Sequence, residues 1–198
     1  MIELEDIEQI IKEIQVRISK DKIEVITIDG DTGAGKSTLA TSISTRIGVI
    51  HLKLDNERYL YKNQGGCLKY IKYETLFNDI KEIISTGKIV LVDSVCILKI
   101  LKNINIKSDL NIYVKRVSIY GFWYDGDRFD YRRSATEVIQ EEKDNALKLL
   151  TIIRSLKTND NVNGENKNTL NDEIIEYHFE YRPDNKADIV YRRIDNSD

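Results

Sequence analysis

Between positions 30 and 38 the chain reads Gly30-Asp31-Thr32-Gly33-Ala34-Gly35-Lys36-Ser37-Thr38, with glycines, a lysine and hydroxyls crowded into nine residues. These types in this order suit one kind of chemistry. Glycines let backbone N–H groups converge on a small volume, and the unpaired amides at a helix start favour an anion. The stretch fills every fixed position of the phosphate-binding pattern G-x-x-x-x-G-K-[ST]. It directly follows the apolar run Ile23-Glu24-Val25-Ile26-Thr27-Ile28, as a strand feeding a loop requires. A bare glycine turn is the competing reading, and the strand context disfavours it. The expected ligand is a nucleoside triphosphate, with Gly30 to Thr38 around its phosphates. Lys36 would reach the β- and γ-phosphates, and the Ser37 hydroxyl would ligate Mg²⁺, a cation that prefers oxygen ligands.

Transfer chemistry needs further groups, and the sequence offers candidates. Asp93 ends the apolar run Ile89-Val90-Leu91-Val92 and is placed for metal support or substrate positioning, against a plain strand-end cap. Asp55 ends the run from Val49 to Leu54. Strand ends gather at the ligand crevice of a parallel sheet, so Asp55 could accept the proton of an attacking hydroxyl. Its alternative is a turn or N-cap aspartate; Lys53 and Arg58 nearby would keep it ionised. Arg128, Arg132 and Arg133 lie in a segment rich in Tyr, Trp, Asp and Arg whose composition suits a lid, and Arg116 precedes it. Such a lid would exclude water and bring positive charge to the migrating group. Each arginine could equally be a surface partner of Asp125, Asp127 or Asp130. Tyr59 is the aromatic singled out for substrate contact because it follows Asp55. His51 and His178 are too few and isolated for metal ligation, and His51 reads as simply accommodated in a strand.

The elements that must position these residues follow from periodicity. Ile7, Ile10, Ile11, Ile14 and Ile18 predict a packing helix over 3–18. Strands are expected at 23–28, 49–54, 88–93, 109–114 and 188–193. Helices are expected from Lys36 to about Ile47, at 73–85 with Gly87 as the C′ glycine, at 94–102, and over 134–156; 169–181 is a helix or a strand. Gly65-Gly66 marks a break, and Lys157–Lys167 is polar and without hydrophobic period. This alternation predicts an α/β fold: three layers, a mostly parallel sheet with helices on both faces, and a small lid. The organisation expected is one domain over 1–198, with an N-terminal helix in 1–20, a lid in 116–135 and a flexible loop in 157–168.

Composition narrows the partners. The 30 basic and 33 acidic side chains leave a formal charge of −3, so no global field draws nucleic acid or a membrane surface. No apolar run approaches a membrane span, and the acidic N-terminus does not suit a secretory signal. Cys67 and Cys96 form no C-x-x-C pair and read as small buried hydrophobes of a reducing compartment. A cytoplasmic protein acting on a small-molecule hydroxyl acceptor is the expectation; homo-oligomerisation is left open.

The run Ile28-Asp29-Gly30 through Leu39-Ala40 resembles the opening of the uridine kinase family, related to phosphoribulokinases and nucleoside monophosphate kinases. Leu54-Asp55 followed by Tyr59, then Gly65-Gly66 with the Tyr73–Ile84 helix, and Lys88–Val95 resemble successive segments of that family. So does the closing stretch Glu176-Tyr177-His178, Tyr181-Arg182-Pro183, Ala187-Asp188. The resemblance implies ATP as donor, a nucleoside or sugar hydroxyl as acceptor, Asp55 as base and Mg²⁺ as metal. Two departures stand out. Asp93-Ser94 replaces the usual Glu-Gly, and Tyr124 through Arg133 replaces the usual lid arginine pattern. Competing classes are a P-loop ATPase, a nucleotide-binding protein without an acceptor, and a regulatory GTPase. The last is suggested by Asn185-Lys186-Ala187-Asp188, which fits N-K-x-D but precedes a strand, and the chain contains no D-x-x-G.

Overall fold

Six strands form one sheet whose order puts the end of the loop-bearing strand near its middle. The computed structural model describes residues 1–61, 68–156 (side chains of 153–156 excepted) and 170–195. The strands are β1 (Ile2–Leu4), β2 (Val25–Gly30), β3 (Ile50–Lys53), β4 (Val90–Asp93), β5 (Leu110–Ser118) and β6 (Ile189–Asp195). They lie in the order β1-β6-β5-β2-β4-β3, and every paired neighbour is parallel. Between them run α1 (Ile7–Lys20), α2 (Lys36–Ile47), α3 (Tyr73–Ser85), α4 (Ile97–Asn103), α5 (Ala135–Leu156), α6 (Leu170–Tyr181) and the short α7 (Pro183–Lys186). The expected α/β architecture is present, and the sheet is wholly parallel among the described strands.

Chain connections diverge at β2: β3 and β4 lie to one side of it, β5 and β6 to the other. In parallel sheets such a switch point opens a crevice at the C-terminal strand ends. β2 is buried along its whole length, as a central parallel strand must be. Its alternate residues serve two cores. Ile26 and Ile28 pack with Ile10, Ile14, Leu39 and Ile43 of α1 and α2, while Val25 joins Leu76, Ile80, Ile97 and Ile100 of α3 and α4. Each such isoleucine, fully buried, contributes about 1.5–3 kcal/mol.

The boundaries differ from expectation most at the N-terminus and at β5. Residues 2–4 are a strand, because the edge of β6 offers them a parallel ladder, and the helix then starts at Ile7 under an Asp6 cap whose carboxylate accepts from Glu8 N at 2.8 Å. β5 runs on to Ser118, so the expected lid over 116–135 begins inside a strand, and its turns occupy 119–134. The stretch near 169–181 is helical. Gly87, at φ +74, takes the expected C′ place behind α3. Gly65-Gly66, Cys67 and the 157–168 stretch lie outside the described residues; Cys96 is buried as expected.

On the face opposite α2, β2 carries one buried acid. Asp29 accepts from Gly30 N at 2.8 Å and from the Tyr177 hydroxyl on α6. Burial pushes its carboxyl up to about 7, against the opposing pull of Tyr177, the Gly30 N–H and Lys36. The folded chain therefore holds this proton where an unfolded one, at 3.8, has released it. That term removes stability as pH rises through the interval between the two values. Asp29→Asn is expected to raise unfolding free energy by roughly 1–3 kcal/mol at pH 8, with the gain vanishing toward pH 4. Denaturant titrations of both proteins across that range check this, and parallel curves would refute it.

Candidate functional site

The loop between β2 and α2 is shaped by glycines in backbone conformations other residues avoid. Gly33 has φ +72, and Gly35, the residue that precedes α2, has φ +102. Ala34 N closes a turn on Asp31 O at 3.2 Å, and Leu39 N starts the helical ladder on Gly35 O at 3.1 Å. The N–H groups of Gly33, Gly35, Lys36, Ser37 and Thr38 make no hydrogen bond among the described residues. Helix starts leave such donors over, and here no capping side chain takes them. The loop has not closed on its own amides; it presents them.

Lys36 lies inside this cradle, its Nζ donating to Gly30 O at 3.1 Å and Asp31 O at 2.7 Å. Burial lowers its pKa, while Asp29, Asp31 and Asp93 act to raise it. Ser37 Oγ donates to Asp93 Oδ2 at 2.6 Å, which joins the head of α2 to the end of β4. The other Asp93 oxygen accepts from His51 Nε2 on β3 at 2.5 Å. Burial alone would push the Asp93 carboxyl up, but His51, Ser37 and the charge of Lys36 outweigh it and hold the group below the usual carboxylate range.

His51 is the residue that sequence reasoning missed. It is not merely accommodated: it orients the carboxylate facing the loop serine. Its place one residue before Leu52, which packs into the core on the other face, was the available signal.

The Ser37–Asp93 pair is the donor set that Mg²⁺ would need. No group of three or more His, Cys, Asp or Glu that could hold a metal occurs among the described residues, so a full protein cage is not offered. Mg²⁺ commonly takes only one or two protein oxygens, completing its shell with phosphate and water, and these two residues fit that habit.

The arginines of the 119–134 turns have separate fates. Arg128 reaches the loop: it pairs with Asp31, whose carboxylate also accepts from Thr32 N at 2.6 Å, and with Glu142 of α5 at 2.9 Å. Beside it Phe129 stacks on His178, ring centroids 3.7 Å apart. His178 is fixed by Nδ1–H donating to Ile174 O at 2.7 Å and Nε2 accepting from the Tyr113 hydroxyl at 2.8 Å. Burial lowers it to about 4, so it is a neutral anchor for the turn. Arg132 is exposed and bound to Asp130, and Arg133 binds Glu141; neither pairs with the loop. Arg116 lies over the Tyr124 ring at 4.7 Å.

Asp55 falls two residues beyond Lys53, which pairs in register with Asp93, so it stands past the same end of the sheet as the loop. It is exposed and forms no hydrogen bond or ion pair among the described residues. Tyr59 is buried in the core beside α3, its hydroxyl donating to Asp79 at 2.7 Å, with Arg58 gripping the same carboxylate at 2.6 and 2.7 Å. That places Tyr59 in packing, although it lines a cavity of about 490 Å³ with His51, Lys53 and Asn56. Asn185-Lys186-Ala187-Asp188 sits at the start of β6, where Asp188 accepts from Asn111 N at 2.8 Å. The start of a strand is the end of a parallel sheet opposite the loop, so this motif is not placed to read a base held there.

No family model and no curated protein matches the chain. Among solved structures, one described as a possible uridine kinase from Bacillus stearothermophilus aligns at TM-score 0.48 and 13% identity, over 93% of this chain and 96% of that one. An uncharacterized protein from Eubacterium ventriosum ATCC 27560 aligns at 0.37 and 13%, over 86% and 89%. Shikimate kinase from Bacteroides thetaiotaomicron aligns at 0.35 and 14%, over 86% of each chain. Likenesses this loose carry no function, and the site's own geometry has to supply it. Among the described residues, no helix is long and apolar enough to cross a membrane.

The cradle makes its own forecast. A Cβ on Gly35 would sit 3.0 Å from Cδ and Nη1 of Arg193, at a φ that side chains resist. Gly35→Ala is expected to cost about 1–3 kcal/mol of stability and to weaken at least tenfold the binding of any anion that uses the loop amides, inorganic tripolyphosphate being the probe. Denaturation and calorimetric titration measure the two effects.

Proposed function

We propose that this protein is a Mg-ATP-dependent small-molecule kinase that phosphorylates a hydroxyl acceptor. The observation that supports it most is the set of unspent amide donors of Gly33 and of Gly35 to Thr38, converging with Lys36 at the head of α2. Such an arrangement is complementary to an oxyanion, and the added lysine suits a polyphosphate. Asp31, Thr32 and Ala34 complete the cradle wall, with Gly30 at its start.

In the reading that follows, Lys36 leaves the carbonyls of Gly30 and Asp31 for the β- and γ-phosphates and neutralises charge that moves toward the leaving diphosphate. Ser37 and Asp93 would hold Mg²⁺, which would neutralise phosphate charge and keep the terminal group in line. The acceptor oxygen attacks the γ-phosphorus while the bond to the bridging oxygen of ADP breaks. The hydroxyl proton passes to Asp55, the unpaired carboxylate beyond β3. Arg128, which meets the loop through Asp31, would serve as the lid arginine by exchanging that carboxylate or Glu142 for phosphate, whereas Arg132 and Arg133 pair with carboxylates away from the loop. The family resemblance implies a nucleoside, uridine- or cytidine-like, or a sugar as acceptor. An ATPase of the motor or transporter type would want a glutamate after Asp93 to activate water, and Ser94 stands there.

The test is an ADP-coupled assay with ATP and Mg²⁺ over nucleosides, sugars and other small polyols. One acceptor class is expected to raise turnover well above its acceptor-free rate. Lys36→Ala should lower that rate by about three orders of magnitude or more without unfolding the domain. Asp55→Asn should lower it by roughly 10²–10⁴ while ATP affinity stays within a few-fold. A panel with no stimulating acceptor refutes the kinase reading, and an Asp55→Asn variant with near-normal rate removes Asp55 from the base role.

A further inference from the structure

The loop has a second cation beside it that no sequence pattern marks. Strand alternation on β6 sends Tyr191 into the core shared with α1 and α2, and Arg193 follows it on the same face. There Arg193 lies flat over Gly35, with Cδ and Nη1 3.0 Å from the position a Cβ would take. Arg192, on the other face, is spent on Glu5 at 3.2 Å and Gly121 O at 3.4 Å. Arg193 is spent far less. Nη2 meets Asp195 at 3.3 Å, while Nε is buried with no hydrogen-bond partner among the described residues. A guanidinium offers five donors, and leaving a buried one unpaired is costly unless a ligand satisfies it.

The charge balance of the loop points the same way. Lys36 is set against Asp29, Asp31 and Asp93. Arg128 is already shared between Asp31 and Glu142. A triphosphate entering the cradle would bring several negative charges to a place where Lys36 faces carboxylates and Arg128 is ion-paired to two, although its Nε and Nη2 are also buried without a hydrogen-bond partner among the described residues. Arg193 keeps about a third of its side chain open to solvent, directly above the last loop glycine.

We propose that Arg193 is a phosphate-binding residue of the donor site, supplying a fixed positive charge to the polyphosphate from the β6 side while Lys36 supplies one from within the loop. This rests on the reading that the loop binds a nucleoside triphosphate. Arg193 acts on the phosphates, not on the base.

The experiment is calorimetric titration of the full chain with Mg-ATP and, separately, with inorganic tripolyphosphate, for wild type, Arg193→Gln and Arg193→Lys. The proposal expects Arg193→Gln to weaken both ligands about tenfold or more and to flatten the salt dependence of binding. Arg193→Lys should stay within about threefold of wild type, because it keeps the charge. Equal affinity in all three proteins overturns the proposal and leaves the donor reading intact. Equal loss in the Gln and Lys variants, with a matching fall in thermal midpoint, assigns Arg193 to packing and overturns it too. A loss confined to ATP, with tripolyphosphate unaffected, makes it a base contact and overturns it as stated. Wild type that binds neither ligand overturns both this proposal and the reading beneath it.

Discussion

The site depends on backbone amides being held apart from any protein acceptor. Left to itself a loop would fold its N–H groups onto nearby carbonyls, because an unpaired donor is costly. Here that outcome is blocked from both ends. At the entrance, Gly30 has φ +144, and a Cβ there would lie 2.7 Å from Val114 O, so β2 and β5 approach at a distance only glycine permits. At the exit, Gly35 turns directly into α2, whose first donors have no preceding turn to accept them. Between the two, Lys36 occupies the carbonyl of Gly30 and shares that of Asp31 with Ala34 N, so neither is left for the remaining amides. The lysine therefore does two jobs before any ligand arrives: it carries charge, and it holds the loop's acceptors.

That arrangement needs a rigid floor, and β2 is one. Its residues are buried on both faces, and its ladders to β4 and β5 run from Val25 to Gly30. Because β2 and β4 are in register, Ile28 sits beside Asp93, which brings the carboxylate to the serine at the start of α2. The register of β3 against β4 brings His51 to the same carboxylate. The polar geometry is thus a consequence of apolar packing one layer below. A shift of β4 by one residue would turn Asp93 to the opposite face and separate all three groups.

Most of this framework was legible in the chain because it is periodic. Alternating and continuous apolar runs marked the five core strands, and the glycine-lysine pattern fixed where the loop must be. β1 was not legible, since three residues carry no period and its existence depends on the free edge of β6. The 119–134 turns were legible as a region and not as contacts. Arg128, Arg132 and Arg133 look alike in sequence, yet the choice among them is made by tertiary neighbours. Phe129 is pinned on His178, which directs the adjacent Arg128 inward, whereas Asp130 and Glu141 capture the other two. Tyr59 beside Asp55 suggested a substrate contact, but Asp79 lies twenty residues on, beyond what local spacing can reveal. Arg193 was invisible for the same reason, and His51 was signalled only by its alternation with Leu52. Each matters through a residue far away in the chain, Asp93 in one case and Gly35 in the other.

Charge is the remaining constraint, and it explains why the site is crowded with acids. Asp29, Asp31 and Asp93 all act on the single ammonium of Lys36, which three ionised carboxylates would overbalance. The fold resolves this differently for each. Asp29 is buried and keeps its proton up to about pH 7, so it stays largely neutral below that. Asp31 is paired with Arg128, and that pair also ties the 119–134 turns to the loop. Asp93 stays ionised, held so by His51, Ser37 and Lys36. One acid is silenced, one is neutralised, and one keeps its charge beside the serine hydroxyl. The acid left charged is the one whose oxygen could serve a hard divalent cation. The loop's donors are thereby left beside acids whose charge is cancelled by a proton, by Arg128 or by Lys36, which favours the approach of an anion.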